Sequence, residues 1–333
     1  MSVFLSDDIR KALQSNGPVV ALETAVLTKG LPHTPWGDQF GACPAVIDSG
    51  APINLAAARA MTLNIKTAGG IPAWIAVVGG TLKIGLSDQE LEDLATDTGA
   101  GKVSLATIAS SMSQKKSAGT TVATTLLACA LTRSLADHSI RVFATGGIGG
   151  IHRGWSTQFD VSADLQALAT TKTCVVASGA KSILDVHATV ESLETLGIPI
   201  LGLETDRFPC FVEATSETDP HVHRVDSPKE VATICNMHWN QLKSNSAVLA
   251  VCPVPDEVAL TRGALEDVIT ETDKSWASSG ESGAQRTPAL LDALAHYTKG
   301  KSLIANIALL CKNAEMAAKI AVAMSIAPEN LDT

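Results

Sequence analysis

The chain has 333 residues, of which 46% are hydrophobic and 18% charged, and a formal net charge of −9. That length allows one large domain or two ordinary ones around a sizeable core. The acidic balance, with no run of Lys or Arg, argues against a nucleic-acid-binding surface.

With five Trp, one Tyr and six Phe, aliphatic side chains must fill the core. Seven cysteines (Cys43, Cys129, Cys174, Cys210, Cys235, Cys252, Cys311) are odd in number, scattered and never spaced CxxC. That predicts reduced thiols in a reducing compartment and no zinc site. No apolar run reaches membrane-spanning length, and MSVFLSDDIRKAL reads as a charged helical pattern, not a signal peptide. A soluble, cytoplasmic protein with no membrane partner is expected.

In chain order, PVVAL (18–22), AWIAVV (73–78), RVFAT (141–145), TCVVAS (173–178), IPILGL (198–203) and AVLAV (247–251) read as buried strands. Helical segments alternate with them. Ser87–Glu90 and Ser227–Glu230 fit capping boxes, the second with Pro228 at the first helical position. Thr287–Pro288 predicts another helix start, after a polar loop at 276–287. The apolar stretch 302–326 predicts a long final helix. Such alternation predicts an α/β fold with a mostly parallel sheet covered on both faces, in a single domain.

The segment ATGGIGGIHRG (144–154) tests the function. A dinucleotide fingerprint needs GxGxxG after a strand, but from Gly147 the third glycine position holds His152, and no Gly-Lys-Ser/Thr follows for a P-loop. Both nucleotide readings fall, leaving a tight turn after a strand. Its company raises it above that: His152, Arg153, and then Asp160-Val161-Ser162-Ala163-Asp164. Loops at the carboxyl ends of parallel strands are where ligands bind.

That segment, with FDVSADL (159–165), SGAKSILDV (178–186), VALETAVLTKGLP (20–32), GTTVATTL (119–126) and SLIANIALLCKNAEMAAKIA (302–321), resembles the pseudouridine-5′-phosphate glycosidase family (indigoidine synthase A-like fold). The matches run in the family's order over most of the chain. The resemblance implies a three-layer α/β/α sandwich, a homotrimer and one divalent metal, typically manganese (Mn2+). It also implies reversible cleavage of pseudouridine 5′-phosphate to uracil and ribose 5-phosphate.

The bond at issue joins uracil C5 to ribose C1′. A glycosidase acting through two carboxylates protonates a leaving oxygen, which a carbon-linked base lacks. A lysine attacking C1′ and opening the ribose as an iminium removes that difficulty. Lys181 follows a strand and a Ser-Gly-Ala turn; read as a helix start, that location would favour the neutral amine. The resemblance makes Lys181 the nucleophile. Glu23, after the apolar PVVAL run, is expected to have a raised pKa suited to a general acid, and the resemblance makes it the proton donor.

By the same resemblance Asp160 is the metal ligand, and Ser162, Ala163 and Asp164 line the substrate. A helix starting near Ser162 would put Asp160 in the loop and Asp164 in the first turn. Thr120, Thr121 and Val122 open a helical pattern whose free N–H groups suit a phosphate, and Lys102 would add a point charge. The amide of Asn306 can pair with a uracil edge or a ribose hydroxyl. His152 is placed at the substrate, while Arg153 has no assigned role.

Relative to the family pattern, roughly twenty residues are inserted at about 33–53, a length that loops tolerate. Two rival readings remain: a Schiff-base lyase or aldolase on another sugar phosphate, and a catalytically impaired sugar-phosphate binding protein.

Overall fold

The computed structural model describes residues 2–156, 159–271 and 283–326. Among these, eleven strands form one mixed sheet. Its main run is built from β1 (Val3–Leu5), β2 (Val19–Glu23), β3 (Ile71–Val78), β4 (Thr81–Ile84), β7 (Val142–Ala144), β8 (Cys174–Ala177), β9 (Ile200–Leu203), β10 (His223–Val225) and β11 (Val248–Val251). The spatial order is β1-β4-β3-β2-β7-β8-β11-β9-β10. All neighbours in that run are parallel except β3 and β4. Two three-residue strands, β5 (Gly101–Val103) and β6 (Ala118–Thr120), attach at the side, β6 antiparallel to β3.

The central strands are apolar on both faces because helices cover both: every residue of β8 and of β11 is buried. One layer holds α2 (Ile53–Thr67), α8 (Pro228–Asn236) and the long α10 (Lys301–Ile326), which packs against both of the others. The opposite layer holds α1 (Asp7–Gln14), α5 (Val122–Ala136) and α6 (Ala163–Thr170). The predicted three-layer α/β/α sandwich is the observed architecture.

Strand order fixes where a ligand can enter. From β2 the chain crosses through α2 to β3 on one side, and from β7 it crosses through α6 to β8 on the other. Adjacent strands whose connections leave in opposite directions open a crevice at their carboxyl ends. In the β2–β7 register Leu22 pairs with Ala144, so Glu23 and Thr145, the next residue of each, sit side by side at that crevice.

All six predicted strands are present, within a residue or two of their expected bounds. Both serine caps form: Ser87 and Glu90 make the full reciprocal box. Ser227 accepts from the Glu230 amide at 3.2 Å, but the Glu230 carboxylate turns to the Asp226 amide. The predicted start at Thr287–Pro288 is wrong. Helix α9 (Gly283–Tyr297) already runs through both residues, with Pro288 in its second turn. Most of the 276–287 segment lies outside the described residues.

Residues 33–52 form a folded excursion with one turn of 3-10 helix at Asp38–Phe40. Its ends are tied together, the Ile53 amide donating to Thr34 O at 3.0 Å and the Asn54 amide to Pro32 O at 3.1 Å. Its buried Phe40 packs edge-on against Trp36 and against His296 of α9.

Candidate active site

A cavity of about 340 Å³ opens at the carboxyl ends of the central strands. Its wall includes Glu23, Lys102, Thr121, Val122, His152, Asp160, Ser162, Ala163, Asp164, Lys181 and Asn306. Residues spread over 284 positions of sequence (23 to 306) thus converge on one space, all of them expected there.

Glu23 ends β2. Its carboxylate accepts a hydrogen bond from the Thr145 hydroxyl. Burial pushes its pKa up, against the lowering pull of Lys181, of the Thr145 hydroxyl and of Lys102. Desolvation outweighs them because Glu23 ends a central strand flanked by β3 and β7, largely withdrawn from water. The raised pKa expected from the apolar run is present.

Lys102, on β5, stands in the same wall, and its pKa is drawn down to about 8 by burial and then by the positive charge of Lys181. Two ammonium groups and two carboxylates, Glu23 and Asp164, therefore act on one another within the cavity. Lys181 follows β8 through Gly179 and Ala180. Gly179 is at φ +68°, and a Cβ there would lie 1.8 Å from the Pro209 carbonyl oxygen, so only glycine permits this turn. The expected helix start at Lys181 is corrected: the next helix, α7 (Val186–Thr195), begins five residues later under an Asp185 cap. What surrounds Lys181 is charge, not a helix dipole.

The glycine turn is shaped for Asp164. A Cβ on Gly149 would lie 2.3 Å from Ser162 Oγ and 2.7 Å from Asp164 Oδ2. Without one, the Gly149 amide donates to Asp164 Oδ2 at 2.8 Å, while the Ala123 amide donates to Oδ1 at 3.0 Å. Asp164 thus locks the turn after β7 to the first turn of α5. Ser162 is the N-cap of α6, as expected, accepting from the Asp164 amide at 3.2 Å.

This bears on the expected phosphate site. Thr121 is the N-cap of α5, but the Ala123 N–H already serves Asp164, so the helix start is not a set of free donors. Thr120 does not line the cavity. It is fully buried, its hydroxyl donating to the Ile75 carbonyl and accepting from Thr125 Oγ1 at 3.0 Å. Side chains alternate along a strand, and Thr120, the last residue of β6, points into the sheet.

Asn306, on α10, is buried at the cavity wall and has no hydrogen-bond partner among the described residues. His152 Nδ1 stands 3.8 Å from Asp160 Oδ2. Arg153 holds Glu266 with two bonds of 2.6 and 3.0 Å and also reaches the Ser182 carbonyl at 3.3 Å. It thereby ties the end of the glycine segment to the residue after Lys181.

Among the described residues, no three or more His, Cys, Asp or Glu side chains converge as a metal cage. Asp160 offers one carboxylate, about one-third exposed, at the cavity wall. Hard cations that keep much of their water shell need only one or two carboxylates, so this donor set fits such an ion and not a cation enclosed by protein.

Residues 44–323 match the family model described as indigoidine synthase A like protein. The chain belongs to that family. Among the family's curated relatives, the pseudouridine-5′-phosphate glycosidase of Symbiobacterium thermophilum is 42% identical over 95% of this chain and 96% of its own. That of Sorangium cellulosum is 40% identical over 96% and 93%. Of solved structures, the indigoidine synthase A-like protein of Thermotoga maritima superposes with a TM-score of 0.79 at 31% identity, covering 97% and 96% of the two chains. The prealnumycin C-glycosynthase AlnA, solved in complex with ribulose 5-phosphate, gives 0.79 at 32% identity, covering 97% of each.

Three further residues of this indigoidine synthase A like chain belong to the site and were not singled out from sequence. Thr145 faces Glu23 from β7's end. Phe211 and Lys29 line the cavity, Lys29 at the close of a π-helical turn (Val26–Gly30) that follows Glu23. Such turns gather at functional sites, but only pairing with distant strands reveals what they face. No helix among the described residues is long and apolar enough to cross a membrane.

Proposed function

We propose that this chain is a pseudouridine-5′-phosphate glycosidase, reversibly cleaving the carbon–carbon bond between uracil C5 and ribose C1′. The observation that carries this reading is the meeting of Lys181 with a buried, protonation-prone Glu23 in one cavity. The shared sequence with glycosidases of that name supports it.

The Lys181 amine attacks C1′, and the ring oxygen leaves that carbon with a proton. The nitrogen lone pair then forms the C1′ imine as the C1′–C5 bond breaks. The released electron pair goes to C5, which takes a proton from Glu23. Water adds to the imine and frees ribose 5-phosphate and the lysine. In the reverse direction the imine is the electrophile that C5 attacks.

Glu23 suits the donor role because burial raises its pKa above the ordinary carboxylate value, and Thr145 fixes the carboxyl in place. Lys102 supplies a cation for the substrate phosphate, with Thr121 and Val122 at the start of α5 in the same wall. Asp164 positions these elements through the Ala123 and Gly149 amides. Asp160 would hold a divalent cation, manganese by family resemblance, which supplies positive charge against the oxygens of the substrate. The reading includes a cytoplasmic homotrimer of single-domain subunits, with the 33–53 segment as an insertion.

The likeness to AlnA favours a neighbouring reading, in which another carbon nucleophile takes the place of uracil. The test is trapping with borohydride in the presence of ribose 5-phosphate, with and without uracil. Adduct on Lys181 that uracil diverts into pseudouridine 5′-phosphate supports the glycosidase; adduct that uracil leaves untouched supports the neighbouring reading.

A further inference from the structure

A second cavity, of about 130 Å³, adjoins the first, and the two share Lys29, Gly30, Phe211, Leu291 and Asn306 in their walls. Three of these carry recognition chemistry. Phe211 offers an aromatic ring, Asn306 an amide with both donor and acceptor, and Lys29 an ammonium. Among the described residues, neither Lys29 nor Asn306 has a hydrogen-bond or ion-pair partner, so their donors are available.

Phe211 is held there at a cost. Its φ of +55° lies in the left-handed region, which a bulky residue adopts only when its surroundings force it. Here they do. Its amide donates to the Ser178 carbonyl at 2.9 Å, three residues before Lys181. The following Glu213 is buried and pinned by Arg262 at 3.2 Å and by the Gly263 amide at 2.8 Å. Arg262 is anchored in turn to buried Asp219 at 2.8 Å. The ring lies against the glycine turn, 2.9 Å from where a Cβ of Gly147 would be. Strain of this kind, fixed from several sides, places the ring at the neck between the two cavities.

We infer that Lys29, Phe211 and Asn306 form the base-recognition subsite, with Lys29 donating to a ring carbonyl of a uracil-like heterocycle whose flat face meets Phe211. The ligand class follows from the donors: a planar, neutral ring carrying carbonyl acceptors beside an imide N–H. Lys102 and Thr121 are left to the sugar-phosphate end. An ammonium against the ring carbonyl also stabilises the electron density that C5 and its conjugated carbonyl acquire as the bond breaks. The inference rests on the proposed function, and it adds Lys29 and Phe211 to Asn306 at the base.

The test uses the full-length protein and its Lys29→Met and Phe211→Leu variants, loaded with manganese. Two quantities are read separately: the borohydride-trapped adduct of ribose 5-phosphate alone, and the KM for uracil in condensation. In Lys29→Met the adduct forms as in the wild type, while the KM for uracil rises on the order of ten- to a hundredfold. Phe211→Leu gives a smaller rise in the same parameter, and circular dichroism confirms that it folds. Loss of adduct with an unchanged KM for uracil would place Lys29 at the phosphate and overturn the inference. Wild-type values of both in Lys29→Met would also overturn it. Failure of the wild type itself to form adduct would instead sink the underlying glycosidase reading.

Discussion

The hydroxyl of Thr145 donates to the carboxylate of Glu23 across the β2–β7 pair, at the point where the sheet's connections diverge. A bond to the ionised form lowers a carboxyl pKa, and here it works against burial. Thr145 thus both aims the acid and limits how firmly it holds its proton.

Thr145→Val removes that donor while keeping the shape. The Glu23 pKa should move further up, so the basic limb of the pH–rate profile in the cleavage direction moves to higher pH. At the same time kcat falls by roughly tenfold from lost alignment. A pH–rate comparison of the two proteins checks this; a basic limb that stays put or moves to lower pH contradicts it.

Glu23→Gln separates stability from catalysis. The folded-state pKa of Glu23 is raised above its ordinary 4.5. Its contribution to stability is therefore fully present below the unfolded value and is lost as pH rises through the folded one. The glutamine variant carries no such penalty. Its Tm relative to wild type should increase with pH from about 4.5 upward, while activity drops by roughly 10²–10⁴-fold. Thermal scans across pH decide it: a Tm difference that is flat, or that shrinks with rising pH, would show that burial does not dominate at Glu23.

Asp164 predicts a different outcome, because it serves two backbone amides at once. Asp164→Ala leaves both N–H groups without their acceptor, costing roughly 3 kcal/mol and a Tm fall of roughly 5–10 °C. Asp164→Asn keeps one acceptor oxygen and should lose about half as much. Differential scanning calorimetry that finds the alanine variant within about a degree of wild type would remove Asp164 as the brace.

Much of this fold was legible because its central strands are short, continuous apolar runs that need cover on both faces. Those runs located β2, β3, β7, β8, β9 and β11. The side strands β5 and β6, the edge strands β1 and β10, and β4 escaped notice. Each is three or four residues long, too short for alternation to register, and Val3–Leu5 lies in a stretch expected to be helical. Glu23 was legible as a carboxyl stranded after an apolar run.

Lys181 was placed correctly in the cavity wall but for a wrong local reason, since its segment looks like a helix start until the chain is seen to make a single turn, the Leu184 amide donating to Lys181 O at 3.0 Å, before α7 begins. Thr120 and Thr121 are neighbours in sequence, yet one faces the sheet and the other the cavity; a strand ending exposes that alternation and sequence alone hides it. Phe211 carried no local signal. Its position depends on a strained turn held by Glu213, Asp219 and Arg262, a network assembled from residues 43 to 49 apart in the chain.

The central claim is that Lys181 attacks the sugar. Incubating the protein with ribose 5-phosphate, reducing with borohydride and mapping the modified peptide by mass spectrometry tests it most directly. The account predicts one reduced pentose-phosphate adduct per chain, on Lys181, abolished by Lys181→Arg and diverted to pseudouridine 5′-phosphate when uracil is present before reduction. An adduct on Lys102 or Lys29 instead, or none on any lysine, would contradict it.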